Sequence, residues 1–437
     1  MPVRACAIAI ILLALFAVAC GDDDGGRSPS SSPSPSPPPT LAPGVTPGPG
    51  VTDSEIRLGM TSDLKGTGGT PYAAVSGAIE AYFQKVNKEN GGVCGRNLVL
   101  VTKDDEYNPA LSLAKTKELA EQDGVLAVIG ALGTTAHLGV ADYLNDPNAD
   151  GNKDDGIPDL FVSTGYSGWG DVARWPWTIG FIPDYQTDAK ALARYINENQ
   201  TGKKVGILFE SNELGKDYDA ALKPALTDPA LLISEREYDP AAPDIAGHIT
   251  ALSAAGADVL VLATTPEVSA AAITAAHGAS YTPQLVLSYV NSQTQLATLI
   301  GGGAGPDQLT KGFAELKGAV STTYLLSTID DENSPPMVEH ARIMQAYSGP
   351  QVSALTVYGQ TLAETVVAAV GGICDRPTRK DLLRVAASLH SFHPGLALPG
   401  IDVNLSPNDH HAFQTLQLVS FGEDGSETRI GEPVSLE

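Results

Sequence analysis

Positive charge is scarce in this sequence. Its 437 residues hold 27 Lys and Arg against 51 Asp and Glu, a formal net charge of −24. No basic face is left to offset phosphate repulsion, which argues against nucleic acid and anionic membrane surfaces as partners. Cysteine and histidine are also few, four and eight. They are scattered, with no CxxC or HExxH spacing, so a Cys/His metal centre is not supported. The glycine loops that cradle phosphates are missing. No GxGxxG follows the first expected strand, and no GxxxxGK[ST] occurs anywhere. A GxSxG nucleophile elbow is missing too, since "STGYSGWG" lacks the spacing. Apolar run Ala7 to Val18 is too short and wrongly flanked for a stable membrane span. What remains is an acidic chain, 43% hydrophobic, long enough for more than one domain-sized core.

The first twenty residues read "MPVRACAIAIILLALFAVAC", followed by "GDDDGG". A basic Arg4, an apolar stretch and small residues before Cys20 resemble a bacterial lipoprotein signal, in which the cysteine is lipidated. The box "AVAC" has no Leu three places before Cys20, and the other reading is an ordinary secretory signal cleaved nearby. Residues 1–20 are thus expected to be a signal peptide, with Cys20 as lipidation site. Residues 21–51 are rich in Pro, Ser and Gly and are expected to form a disordered tether, roughly 3 Å per residue where polyproline-like. Signal, spacer and folded body together imply an exported protein, anchored by lipid to the outer face of the cytoplasmic membrane. That compartment is oxidising.

From Ile56 onward strands and helices alternate. "EIRLGMTS", "RNLVLVTKD", "GVLAVIGAL" and "DLFVST" read as strands, separated by helices such as the one opened by Pro71. A second set follows, with "KKVGILFES", "DVLVLAT" and "QLVLSYV" as strands. Continuous apolar strands of this kind belong in buried parallel sheets. The fold class expected is α/β, with two doubly wound parallel-sheet lobes. Ligands of such sheets sit beyond the strand carboxyl ends, so two facing lobes enclose a small solute between them.

The segments "IRLGMTSDLKGTGG", "LFVSTGYSGWGD", "PWTIGFIPDYQTDAKALARYI" and "VGILFESNELGKDY", in this order, resemble the branched-chain amino acid (Leu/Ile/Val) binding proteins. These are type I periplasmic binding proteins that serve ABC importers. "LPGIDVNLSPNDHHAFQTLQLVSF" resembles one subgroup of that family. The resemblance spans about Thr52 to Glu432. It implies a three-strand hinge, with crossings near Phe181–Asp184, Gly318–Ser321 and Gly395–Gly400. Lobe I would be 52–182 and 319–395, and lobe II 183–318 and 396–437. It implies a non-enzymatic monomer that hands a solute to an ABC permease, or a sensory module of the same fold that reports its ligand to a signalling partner. It places ligand contacts at Thr134, Thr135, Gly165, Tyr166 and Ser167 in lobe I, where hydroxyls and backbone N–H groups suit a carboxylate. In lobe II the corresponding positions are Leu214, Thr264 and Tyr289. The family's carboxylate for an ammonium group falls on Tyr289. An ammonium left without an anion is costly, so an apolar or aromatic carboxylate, or an amide, fits as well as an amino acid.

The same family arrangement places the loops after two Gly-Gly helix ends, "ENGGVCG" and "AVGGICD", in one lobe, which implies a Cys94–Cys374 disulfide. The acidic loop "DPNADGNKDDGIPD" sits at the strand amino ends, away from the cleft. Its alternating oxygens at Asp146, Asn148, Asp150 and Asp154, with the Asn152 carbonyl, suggest one structural calcium, against a metal-free hydrated loop. No cofactor is expected for function. The pairs Asp104–Asp105 and His410–His411 could do acid–base chemistry only if held at set distances. Trp175 and Trp177 are expected to pack near the first crossing.

Overall fold

The computed structural model describes residues 40–65 and 69–435. Cys20, the expected signal segment and most of the expected tether lie outside the described residues.

Lobe I begins with β1 (Glu55–Ser62), α1 (Gly69–Asn90), β2 (Asn97–Asp104), α2 (Pro109–Lys117) and β3 (Ala127–Ile129). It continues with α3 (Thr134–Asn145), β4 (Asp159–Val162) and β5 (Thr178–Gly180). Lobe II follows with α4 (Tyr185–Asn199), β6 (Val205–Glu210), α5 (Glu213–Ala225), β7 (Leu232–Tyr238) and α6 (Ile245–Ala255). Then come β8 (Val259–Ala263), α7 (Pro266–Gly278), β9 (Gln284–Leu287), α8 (Gln293–Gly301), α9 (Pro306–Leu316) and β10 (Val320–Thr323). The chain returns to lobe I for α10 (Pro335–Ala346), α11 (Ala354–Gly371) and α12 (Arg379–Ala386). It ends in lobe II with β11 (Thr415–Phe421) and β12 (Glu427–Ser435).

The lobe I sheet runs β2-β1-β3-β4-β5, all parallel. The lobe II sheet runs β12-β11-β10-β9-β8-β6-β7 and turns antiparallel only at β11 and β12. Helices cover both faces, which is why β6 (VGILFE) and β8 (VLVLA) are apolar throughout and buried at every position. Each such fully buried Val or Leu stabilises the lobe by ~1.5–3 kcal/mol. Asn108, Asp184 and Asn212 accept bonds from first-turn amides of α2, α4 and α5. Those caps start the helices just past the strand carboxyl ends. The rim of the cleft is built there.

Three crossings join the lobes. The first lies between β5 and α4, at Phe181–Asp184. The second falls later than the expected Gly318–Ser321, because β10 still pairs with β9 and β11 in the lobe II sheet. The chain leaves at Tyr324–Leu326, where Leu325 bridges Ala397. The third also falls later than Gly395–Gly400. Residues 396–412 stay with lobe I, Phe392 bridging Val403 and His411 bridging Gly180, and the crossing comes at Phe413–Gln414. Each crossing contributes one ring to a buried aromatic cluster. Phe413 meets Phe181 at 5.2 Å and Tyr324 at 5.0 Å between centroids.

Two terminal features stiffen lobe I. The part of the expected tether between Ala42 and Val51 is not disordered. Ala42 N–H donates to the Asp375 carbonyl at 2.9 Å and Gly48 N–H to that of Pro377 at 2.8 Å. Val51 bridges Ile56 at the start of β1. The tether composition therefore outlasts the tether itself, because backbone bonds to a neighbouring loop order a segment that has little apolar surface. Cys94 and Cys374 are joined by a disulfide, with Cα atoms 5.2 Å apart and a sequence separation of 280.

The acidic loop between α3 and β4 spends its alternating oxygens on its own backbone. Asp146 accepts from Asp150 N–H and Gly151 N–H, Asp150 from Asn152 N–H, and Asn152 from Asp154 N–H. Among the described residues no three His, Cys, Asp or Glu side chains are gathered as metal ligands. In the expected calcium set of Asp146, Asn148, Asp150, Asn152 and Asp154, the side-chain oxygens of the first four are hydrogen-bonded to amides of the loop itself. Side chains that turn onto the next amides but one follow the same alternation as side chains that turn onto an ion.

Candidate functional site

A cavity of about 240 Å³ lies between the lobes at the strand carboxyl ends. Lobe I contributes Tyr72 of α1, Tyr107 from the loop after β2, and Gly133 and Thr134 at the start of α3. Lobe II contributes Leu214 of α5, Thr265 at the start of α7, and Tyr289 to Gln295 entering α8. Ile182 and Tyr185 close it on the hinge side.

The polar end of the cavity is the amino end of α3. Gly133 precedes it with φ +94°, and no side chain caps the helix. A Cβ on Gly133 would stand 2.2 Å from the Tyr107 ring, so glycine lets that ring close over the helix start. First-turn amides without acceptors, together with the helix dipole, favour an anion here. The Thr134 hydroxyl pairs with Thr164 at 2.6 Å and with the Tyr185 hydroxyl at 3.2 Å. Burial pushes the phenols of Tyr185 and Tyr358 above their ordinary range, so both remain neutral hydroxyls. Among the lining residues there is no Lys or Arg, and Glu427 is the one carboxylic acid.

Beneath the cleft Asp188 anchors lobe II. It is fully buried and accepts from the Tyr218 and Thr322 hydroxyls and from Tyr289 N–H. Tyr289 in turn donates its hydroxyl to the Pro183 carbonyl at 2.5 Å and stacks on Tyr185 at 6.1 Å. One carboxylate therefore fixes the loop that carries the cavity's central ring.

Of the residues expected to touch ligand, Thr134, Leu214 and Tyr289 line the cavity. The others do not. Thr135 accepts from Asn212 Nδ2 across the lobes at 3.4 Å. Gly165 packs beneath the Tyr289 hydroxyl, and Tyr166 stands edge-on to Trp169 at 5.2 Å. Thr264 faces inward, its hydroxyl paired with Ser269 at 2.5 Å, and its neighbour Thr265 takes the lining position. Ser167 is occupied by the chain itself. Its N–H and hydroxyl donate to the two Asp217 oxygens at 2.8 and 2.7 Å, and Gln186 Nε2 reaches the same carboxylate at 3.0 Å. Since Ser167 belongs to lobe I and Asp217 to α5, these bonds latch the lobes together.

Tyr72, Tyr107, Tyr185 and Glu427 were not foreseen as lining residues. Tyr107 follows "KDDE", where both carboxylates are loop acceptors: Asp104 takes Leu64 N–H and Asp105 takes Tyr107 N–H and the Ser112 hydroxyl. His410 and His411 are similarly engaged, with the Thr178 carbonyl and with Asp409. Trp175 packs on Trp169 at 5.9 Å.

Two α/β lobes, three crossings and a cavity between the lobes at the strand carboxyl ends define a hinged binding protein. The family described as periplasmic binding protein matches residues 55–426, and the chain belongs to that family, in its type I form. No curated protein sequence matches the chain. Among solved structures it is similar to a possible leucine/isoleucine/valine-binding protein of Rhodopirellula baltica, at 20% identity and TM-score 0.72, covering 86% of this chain and 96% of that one. A fatty acid ABC transporter substrate-binding protein of Thermomonospora curvata gives 21% and 0.73, over 91% and 97%. A branched-chain amino acid ABC transporter protein of Thermus thermophilus with bound valine gives 17% and 0.74, over 88% and 98%. At these identities the likeness establishes the fold.

Proposed function

We propose that this chain is the solute-binding component of an ABC importer and delivers a small organic solute to its permease. The cavity carries the reading: it is lined by both lobes, has an uncapped helix amino end beside Thr134 at its polar end, and has walls of Tyr, Leu and neutral amides. The solute is held at a carboxylate by backbone N–H groups and hydroxyls, without a salt bridge. A valine-bound neighbour and a fatty acid transporter neighbour both fit an apolar carboxylate. The chain acts as a monomer, exported and anchored through lipid on Cys20.

A thermal-shift screen of amino acids, aromatic acids, alkanoic acids and amides tests the solute. Binding at 100 times Kd should add about 2.7 kcal/mol to stability. No shift from any class refutes the reading. Mass spectrometry of the mature N-terminus tests the anchor: an unmodified N-terminus away from Cys20 means an ordinary secretory signal.

A further inference from the structure

The cavity does not end at the cleft. Beyond Tyr289 and Gln295 it continues into lobe II, between the chain after the second crossing (Leu325–Ile329) and the outer strands, where Val419, Phe421 and Gly425 line it. It reaches Glu427 at the start of β12. This extension is shaped by the backbone. Gly425 has φ +90°, and a Cβ there would stand 2.7 Å from Ile329 and 2.9 Å from Phe313, so glycine brings the turn against the wall. The wall is pinned in turn. Asp330 accepts from the Ser327 hydroxyl and Glu427 N–H, and Asp331 accepts from Ser327 N–H while lying 3.7 Å from Arg429. Both aspartates are thus committed to the scaffold. Among the described residues the Glu427 carboxyl has no hydrogen-bond donor, and it is the group left over at the distal end of the cavity.

We propose that this extension is a second subsite, which takes the far end of an elongated solute through Glu427, and that the end it accepts is a primary amine. The subsite presupposes the solute-binding role proposed above and names the solute class. One end, a carboxylate, lies at Thr134, an apolar chain passes Leu326, Val419 and Phe421, and an amine meets the carboxyl of Glu427. A carboxylate at the far end is rejected, since it would meet the like charge of Glu427, with Asp330 and Asp331 adding to it from behind the wall. The nearby cation, Arg429, is paired with Asp331 and does not line the cavity. Burial and the two aspartates raise the Glu427 carboxyl to about 7, against a smaller opposing pull from Arg429. An ammonium partner relieves that burden by stabilising the ionised form.

Calorimetric titration with hexanoate, octanoate and decanoate, each beside its ω-amino and ω-carboxy counterpart, tests the subsite. The full-length mature protein should bind the ω-amino member of the best-fitting length at least about tenfold more tightly than the ω-carboxy member. Glu427→Gln should bring those two within about threefold, whereas Thr134→Val should weaken every carboxylate probe alike. Equal affinities across the three series overturn the subsite, as does a preference that survives Glu427→Gln. If solutes from the broader screen bind but no straight-chain probe does, the subsite falls and the solute-binding role stands. If nothing binds at all, both fall.

Discussion

Asp188 should make the protein less stable as the pH rises through the weakly acidic range. The carboxyl is buried in α4 with two hydroxyls and one N–H as partners and no cation. Burial raises its pKa from 3.8 to about 6, against the pull of the Thr322 and Tyr218 hydroxyls and Tyr289 N–H. The folded value lies above the unfolded one, so between them the native state holds the extra proton. Its contribution is present in full below about pH 4, falls as the pH rises, and is lost above about pH 6, a change of about 3 kcal/mol. Asp188→Asn keeps the volume and one acceptor but abolishes the titration. Urea unfolding of both proteins across this range should therefore give midpoints that diverge: the asparagine variant is weaker or equal at the acid end and equal or more stable at neutral pH. Asp188→Ala should lose stability at every pH, by about 1–3 kcal/mol for each donor left unpaired. A stability difference between wild type and the Asp188→Asn variant that stays flat across the window would refute the reasoning.

Three further outcomes follow from the site and its frame. Thr134→Val should reduce affinity for carboxylate solutes by about 1.5–3 kcal/mol; unchanged calorimetric affinity removes Thr134 from the site. Asp217→Ala removes the acceptor of Ser167 and Gln186 and should open the ligand-free protein, by charged hydrogen bonds worth about 1.5–3 kcal/mol. Solution scattering should then give a larger radius of gyration than wild type, and equal radii refute the latch. Cys94→Ser with Cys374→Ser should cost about 5 kcal/mol in the chain-entropy model, read from denaturant midpoints, and thiol labelling of the unreduced, denatured wild type should find neither cysteine free.

The alternation of lobe elements was readable because buried parallel strands are continuous apolar runs, as β6 and β8 show. The later crossings were not readable. "VSTTYLL" passes from strand to hinge with no break in composition, and what ends β10 is the pairing of Leu325 with Ala397, a partner 72 residues on. The third crossing is set by isolated bridges along a segment with no period of its own. At the site, the family resemblance pointed to a hydroxyl after β3 at Thr134, and Thr134 lines the cavity. Thr264 missed by one residue, since a single step past β8 reverses a side chain from the cavity to the core. The bond of Ser167 to Asp217 was not readable, because that partner lies 50 residues away on the other lobe. Glu427 was invisible because its place depends on the antiparallel pairing of β11 with β12, which carries an irregularity between Leu416 and Leu418.

The docking of the segment before β1 decides how the molecule bears force. Ala42 and Gly48 are bonded to the loop before α12, and that loop is cross-linked through Cys374 to the end of α1. A pull on the chain upstream of Thr40 is therefore taken up in shear by lobe I, near the amino ends of β1 and β3. The load path ends there. None of the three crossings lies on it. Lobe I is the half that carries the docked segment, and lobe II lies off that path.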